Sequence, residues 1–339
     1  MSEVVTVRIE SIAAGGAGVA RVDGMAVFVH RTAPGDVAEI TLRRRRRFGE
    51  GVLRRVLEPS TDRVEPRCVH YEGDSCGGCQ LQHLADDAQR SARRRIVADN
   101  FSRIARRSVA VDEVRASPSP WGYRNKLTLT MRPWGGGWMI GMRPFGEPDG
   151  LFEVRECPIT DAAVMESWRE IGRASADLPR AASLRGAVRI AGGRRSLVVT
   201  GGDAWPLARR FAAACPSLST IVWRDEQGRA HVVAARGGED GGADSFAQVN
   251  PAVARAIHAD VLARVRAERP GRAIDAYAGR GALAADLAMD IGDVIAIELD
   301  PEAARLARES LGARGAVVQA RVEDVIGGLL PAGAVVLNP

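Results

Sequence analysis

Lysine is nearly absent from this chain: Lys126 is the only one among 47 basic residues, and the rest are arginine. Aromatic residues are also sparse, at 5% of 339 positions, and cysteines number five. No apolar run approaches the length of a membrane span, which excludes a helical membrane protein and leaves a soluble one, expected as a monomer. Residues Met1 to Val7 lack a basic-then-apolar signal, so a cytoplasmic, reducing location is expected and a disulfide framework is not. The length calls for two or three domains rather than one core. A net charge of +5 and a pI near 9.3, carried by arginine forks that suit phosphates and bases, are compatible with nucleic acid. A GC-rich coding bias would give the same Ala-, Gly- and Arg-heavy composition.

Four of the five cysteines sit in polar, Gly-rich surroundings: Cys68, then Cys76-Gly77-Gly78-Cys79, and Cys157 before Pro158. The glycine pair permits a tight turn that points both of its thiolates at one centre. Four thiolates suit a [4Fe-4S] cluster or a structural zinc ion, and spacing alone admits both. Cys215 lies in the apolar stretch Phe211–Cys215 and reads as an isolated core residue.

Residues 1–60 read as short strands broken by glycine, with Asp23-Gly24 as a hairpin turn. Five short strands in so small a unit predict an OB-like β-barrel. The run Arg43–Arg47, followed by Phe48, reads either as a solvated, self-repelling loop or as an arm for phosphates. Residues 61–245 read as a less regular middle region. It holds the cysteines, a helix over 86–104, strands near 126–131 and 195–200, and a flexible acidic loop at Gly237–Gly242. Tyr123-Arg124-Asn125-Lys126 reads as a polar strand end.

Residues 246–339 alternate helix and strand. Asn250 and Asp300 cap helices that begin with Pro251 and Pro301, and Val253, Ile257, Val261 and Val265 mark one face. The pattern predicts a doubly wound parallel sheet, making the whole chain a multidomain α/β protein. Its first strand ends in a turn holding Gly279 and Gly281, and its second ends at Glu298, an arrangement suited to a nucleotide whose ribose meets the carboxylate. The turn fits an NAD fingerprint. Asp275, four residues before it, suits the amino end of a methionine and so favours S-adenosylmethionine.

Taken in order, these motifs resemble the RNA 5-methyluridine methyltransferases, in particular the bacterial 23S rRNA uracil-C5 class. Gly15–Arg21, Phe28-Val29 and Pro34-Gly35-Asp36 look like a TRAM domain. Cys76–His83 and Glu156–Ile159 are similar to the family's cluster motifs, which makes Cys68, Cys76, Cys79 and Cys157 ligands of a [4Fe-4S] cluster. Phe246–Asn250 resembles the segment whose glutamine, here Gln248, meets S-adenosylmethionine. Asp275, Tyr277, Gly279, Gly281 and Glu298 match the nucleotide-pocket motifs.

The chain also departs from the family. Its Cys68–Cys76 spacing is longer, Ala282 replaces an asparagine, and Asn338 replaces the aspartate of an Asp-Pro-Pro-Arg motif. The resemblance implies methylation of uracil C5 in RNA, ribosomal rather than transfer RNA. It implies a truncated class I methyltransferase sheet, with the nucleophilic cysteine and general base expected beyond Pro339. Two other classes fit parts of the sequence, a non-catalytic RNA-binding iron-sulfur protein and a nicotinamide-dependent oxidoreductase.

Overall fold

A computed structural model describes residues 2–236 and 248–338; the acidic loop expected at Gly237–Gly242 lies outside the described residues, as do Phe246 and Ala247. The chain divides into two compact units, Met1–Val249 and Asn250–Pro339.

The first unit opens with strands β1 (Ser2–Arg8), β2 (Ser11–Ile12), β3 (Gly18–Val22), β4 (Met25–Val29), β5 (Val37–Arg44) and β6 (Gly49–Glu58). They form one curled sheet in the order β1-β5-β6-β4-β3-β2, antiparallel except between β4 and β6. This is the expected small barrel with one strand more, since the two-residue β2 carries too few residues to show a period. Alternate residues of β5 point inward, so Ala38, Ile40 and Leu42 join Val7, Ile9, Ala20, Val27 and Val29 in the core. The β3–β4 hairpin turns at Asp23-Gly24, where both residues take positive φ of 50° and 78°.

The arginine run differs from a uniformly solvated loop. Arg43 and Arg44 extend β5, Arg44 pairs with Glu3 and Asp23, and Arg45 pairs with Glu50. Acidic residues distant in sequence neutralise part of the run, which a local charge count cannot see.

After the barrel come α1 (Val69–Glu72) and α2 (Asp86–Arg103), followed by β7 (Lys126–Trp134), β8 (Gly137–Met142), β9 (Phe152–Glu153) and α3 (Ala162–Arg173). Strands β10 (Leu184–Ala191) and β11 (Arg194–Thr200), helix α4 (Ala208–Ala214), and strands β12 (Thr220–Arg224) and β13 (Ala230–Ala235) complete the unit. The region expected to be irregular holds a seven-stranded sheet, β13-β12-β11-β10-β7-β8-β9. Its core packs α3 and α4 against the sheet through Trp168, Trp205, Phe211 and Trp223. Asp161 caps α3 by accepting from the Ala163 N–H at 2.8 Å. Cys215 lies fully buried in this core, as expected, and burial pushes its thiol up to about 12.

The second unit contains α5 (Pro251–Glu268), β14 (Ala273–Ala276), α6 (Ala282–Leu287), β15 (Val294–Glu298), α7 (Pro301–Leu311), β16 (Ala316–Gln319), α8 (Val322–Leu329) and β17 (Ala334–Leu337). Its sheet is parallel throughout, in the order β16-β15-β14-β17, as the alternating pattern predicts. Asn250 and Asp300 cap their helices through Val253 and Ala303 N–H groups. The expected apolar stripe on α5 is only partly used: Val265 is buried but Ile257 is exposed. A repeat of four drifts around a helix of 3.6 residues per turn, so only the end of the stripe meets the sheet. Among the described residues, no helix is long and apolar enough to cross a membrane.

Asp36 is a buried charge on which the barrel's junction depends. It is fully buried, takes a bidentate bond from Arg63 at 2.8–3.1 Å, and accepts from the Ala33 and Ser60 N–H groups. Burial alone would raise its carboxyl, but Arg63 and the two amides hold it below the usual range. The Asp36→Asn substitution leaves Arg63 without its charge partner and should cost about 3 kcal/mol in urea unfolding at pH 7. Because the folded value is depressed, the pair's contribution is present above about pH 4 and is lost as pH falls through it. The difference between wild type and variant should therefore shrink on acidification.

Candidate cofactor turn and cysteine cavity

The parallel sheet of the second unit brings the ends of β14, β15 and β17 level with one another. Ala276 pairs with Ile297 on one side and Leu337 on the other, so Tyr277, Glu298 and Asn338 follow at the same level. The chain then turns through Tyr277, Gly279 and Gly281, all at positive φ (63°, 56° and 77°). Gly281 has a second constraint: a Cβ there would lie 2.8 Å from the Ala307 Cβ on α7. A left-handed conformation at a tyrosine is uncommon and is held by the surrounding turn, with its hydroxyl donating to Glu323 Oε1 at 2.8 Å. Glu323, in the first turn of α8, was not marked by any sequence signal.

Glu298 braces this turn with both oxygens. Oε2 accepts from the Gly279 N–H at 2.7 Å and Oε1 from the Asp300 N–H at 2.8 Å. Each oxygen keeps a lone pair for a ligand hydroxyl. Asp275 lies deeper, 3% exposed, and accepts from the Ala284 N–H at 3.1 Å. It holds α6 to the strand from inside. Asn338 is exposed past the end of β17, and Gln248 is exposed in the first unit.

In the first unit, Cys68, Cys76, Cys79 and Cys157 all border one cavity of about 270 Å³. All four are free thiols. Burial, reinforced by the neighbouring sulfurs, pushes Cys68, Cys76 and Cys79 up. The distant Cys157 is brought in by His70, which is 1% exposed. Its Nε2 accepts the Arg155 N–H at 3.1 Å, so Nδ1 carries the proton and donates to Asp74 at 2.7 Å. Gln82 accepts from the Cys68 N–H at 3.3 Å, and Arg31 donates to the Cys76 carbonyl while stacking on Tyr71.

Among the described residues no three His, Cys, Asp or Glu side chains gather tightly enough to hold a single metal ion. Zinc at about 2.3 Å from each sulfur would need the sulfurs about 3.8 Å apart. Arg124 and Lys126 also line the cavity, so the segment expected to be a plain polar strand end supplies cations beside the four sulfurs. The lone lysine in an arginine-rich chain was the available sequence signal.

A TRAM-type barrel, a cysteine cavity and a parallel sheet with a nucleotide turn define a class of RNA-modifying proteins, and similarity to known proteins agrees. Residues 2–52 match the TRAM domain family. An uncharacterised RNA methyltransferase of Halalkalibacterium halodurans is 30% identical over 95% of this chain and 78% of its own length. The 23S rRNA (uracil(1939)-C(5))-methyltransferase of Legionella pneumophila is 35% identical over 47% of this chain. That match spans 36% of the relative's length. The tRNA (uracil-54, C5)-methyltransferase of Pyrococcus abyssi, solved with S-adenosyl-L-homocysteine, shares the fold with a TM-score of 0.65. It is 21% identical, with 94% of this chain and 80% of that one covered. The chain belongs to the TRAM-domain RNA methyltransferases related to the 23S rRNA uracil-C5 enzymes.

The buried Asp275 gives a signed prediction. Burial raises its folded pKa to about 6, with Glu298 adding to the effect. Stability from this group is then greatest below about pH 4 and is lost as pH rises through 6. Asp275→Asn should flatten that dependence. It should also raise stability at pH 7 by about 2–3 kcal/mol, read from urea unfolding at several pH values.

Proposed function

We propose that this chain binds S-adenosylmethionine and RNA as a methyltransferase directed at C5 of uracil, with 23S rRNA as the substrate. Residues 1–60 serve as an RNA-binding barrel, 61–245 as a [4Fe-4S] region with further RNA contacts, and 246–339 as the cofactor sheet. The observation that carries the reading is the Tyr277–Gly281 turn braced by Glu298, in a chain similar over 95% of its length to an RNA methyltransferase. The rRNA assignment draws on the sequence relatives that act on 23S rRNA.

Bound S-adenosylmethionine would supply an electrophilic methyl group. Glu298 accepts from its ribose hydroxyls, Gly279 and Gly281 let the backbone approach it, and Tyr277 lines the same turn. Asp275 acts through α6, keeping the glycine turn in place. By the resemblance, Gln248 is assigned to cofactor binding and Asn338 to the methyl-transfer position. The target uridine has to be unstacked to reach this site, and the arginine-rich barrel holds the surrounding strand.

Cys68, Cys76, Cys79 and Cys157 are assigned as the four ligands of the cluster, with Arg124 and Lys126 offsetting its negative charge. Its role is structural, joining two distant loops. One observation favours a second reading, a non-catalytic RNA-binding iron-sulfur protein. Four of the five cysteines face the cavity, and Cys215 is held at about 12, so none is suited to attack uracil.

Calorimetry with S-adenosylhomocysteine separates the readings. The methyltransferase reading expects saturable binding, weakened about tenfold by Glu298→Gln, and labelled methyl at uridine C5 of rRNA when the assay uses a chain that includes the nucleophilic cysteine. Tighter binding of NAD, or no binding of either, would sink it. Anaerobic iron reconstitution tests the metal centre: about four irons per chain are expected, against one zinc for the single-ion alternative. His70→Ala should lower iron retention severalfold while leaving S-adenosylhomocysteine affinity unchanged.

A further inference from the structure

Helix α2 is anomalous within its unit. Over 18 residues it buries no side chain fully, although Ala88, Ala92 and Ile96 lie partly covered against Ile12, Ala33, Leu81 and Leu84. At about 100° per residue, the opposite side carries Arg90, Arg94, Val97 and Phe101, with Arg93 and Ile104 on its flank. Val97, Phe101 and Ile104 are 42%, 44% and 81% exposed, an apolar strip that the fold does not cover. Segment 109–111 borders the flank formed by Ser91, Arg94, Arg95 and Ala98.

The charges beside this strip are unevenly neutralised. Arg90 pairs with Asp86 and Arg95 with Asp99, while Arg94 donates to the Val111 carbonyl. Among the described residues Arg93, Arg103, Arg106 and Arg107 have no such partner, and all four are exposed. The Arg93 charge, midway along α2, acts on the Tyr123 phenol. Nearby, the Arg67 guanidinium lies 5.3 Å from the centre of the Trp121 ring.

We infer that the outward face of α2 and the chain just after it form an RNA-contacting surface, on which Phe101 and Ile104 take up an unstacked base and Arg93, Arg106 and Arg107 meet phosphates. This inference rests on the RNA-binding reading above and adds a surface outside the TRAM barrel. Unpaired guanidinium groups flanking an exposed aromatic match what single-stranded RNA presents, a polyanion with free base faces. A second copy of the chain would set these same arginines against each other at the interface, so charge complementarity selects the nucleic acid.

Fluorescence anisotropy with a labelled RNA stem-loop tests the inference across a salt series. Phe101→Ala should weaken binding about tenfold, and Phe101→Trp should restore it. Arg93→Gln with Arg107→Gln should reduce the slope of log affinity against log salt by about 1.4, or about 0.7 for each phosphate contact to a single strand. None of these substitutions removes a buried side chain, and S-adenosylhomocysteine affinity should be unchanged in all. Wild type binding RNA while the variants match it in affinity and salt slope would overturn the inference and leave the RNA-binding reading standing. Loss of self-association in Phe101→Ala, with RNA affinity intact, would also overturn it and assign the face to a second copy. Failure of the wild type to bind RNA at all would overturn both.

Discussion

The cysteine cavity depends on one buried imidazole. His70 ties its own loop, through Asp74, to backbone amides 85 and 86 residues further along the chain. Closing so long a loop costs chain entropy, and His70 meets that cost with hydrogen bonds made where water cannot compete. A second tie joins the Cys76 turn to the β8–β9 connection, where the Phe145 N–H donates to the Ser75 carbonyl at 2.7 Å. With both, four thiols border one space, and Arg124 and Lys126 come to the same wall because β7 starts beside the Cys157 loop, through the Gly122–Pro158 and Arg124–Ile159 backbone bonds.

The second unit is organised around carboxylates facing inward. Asp275 and Glu298 both accept backbone N–H groups, so each fixes a piece of main chain before any ligand arrives. The two differ in depth. Asp275 is sealed in and resists ionisation, whereas Glu298 sits at the mouth and keeps lone pairs to offer. Two acids one strand apart thereby take up different tasks, one sealed beneath α6 and one bracing the turn at the strand ends.

Much of this was legible in sequence where the signals are local. The Asp23-Gly24 hairpin, the caps at Asn250 and Asp300, and the Gly279–Gly281 turn each need only a few neighbouring residues to be recognised. The parts that were not legible depend on partners far away. The middle sheet read as irregular because its seven strands are ordered by long-range pairing, β10 lying between β7 and β11. The arginine run read as unpaired because Glu3, Asp23 and Glu50 reach it only in the folded barrel. Asp275 was read as facing a ligand, but the strand's register turns it inward to Ala284. His70 and Glu323 gave no signal, since a lone histidine or glutamate acquires meaning only from what it touches.

Lys126 has a consequence of a different kind. Its ε-amine is the chain's only one, and it sits on the wall of the cysteine cavity. Arginine does not react with ordinary amine-directed reagents at neutral pH, so apart from the N-terminus such a reagent has one address in the whole molecule. The composition that makes this protein poor in lysine also gives it a built-in, site-specific label next to its proposed metal centre.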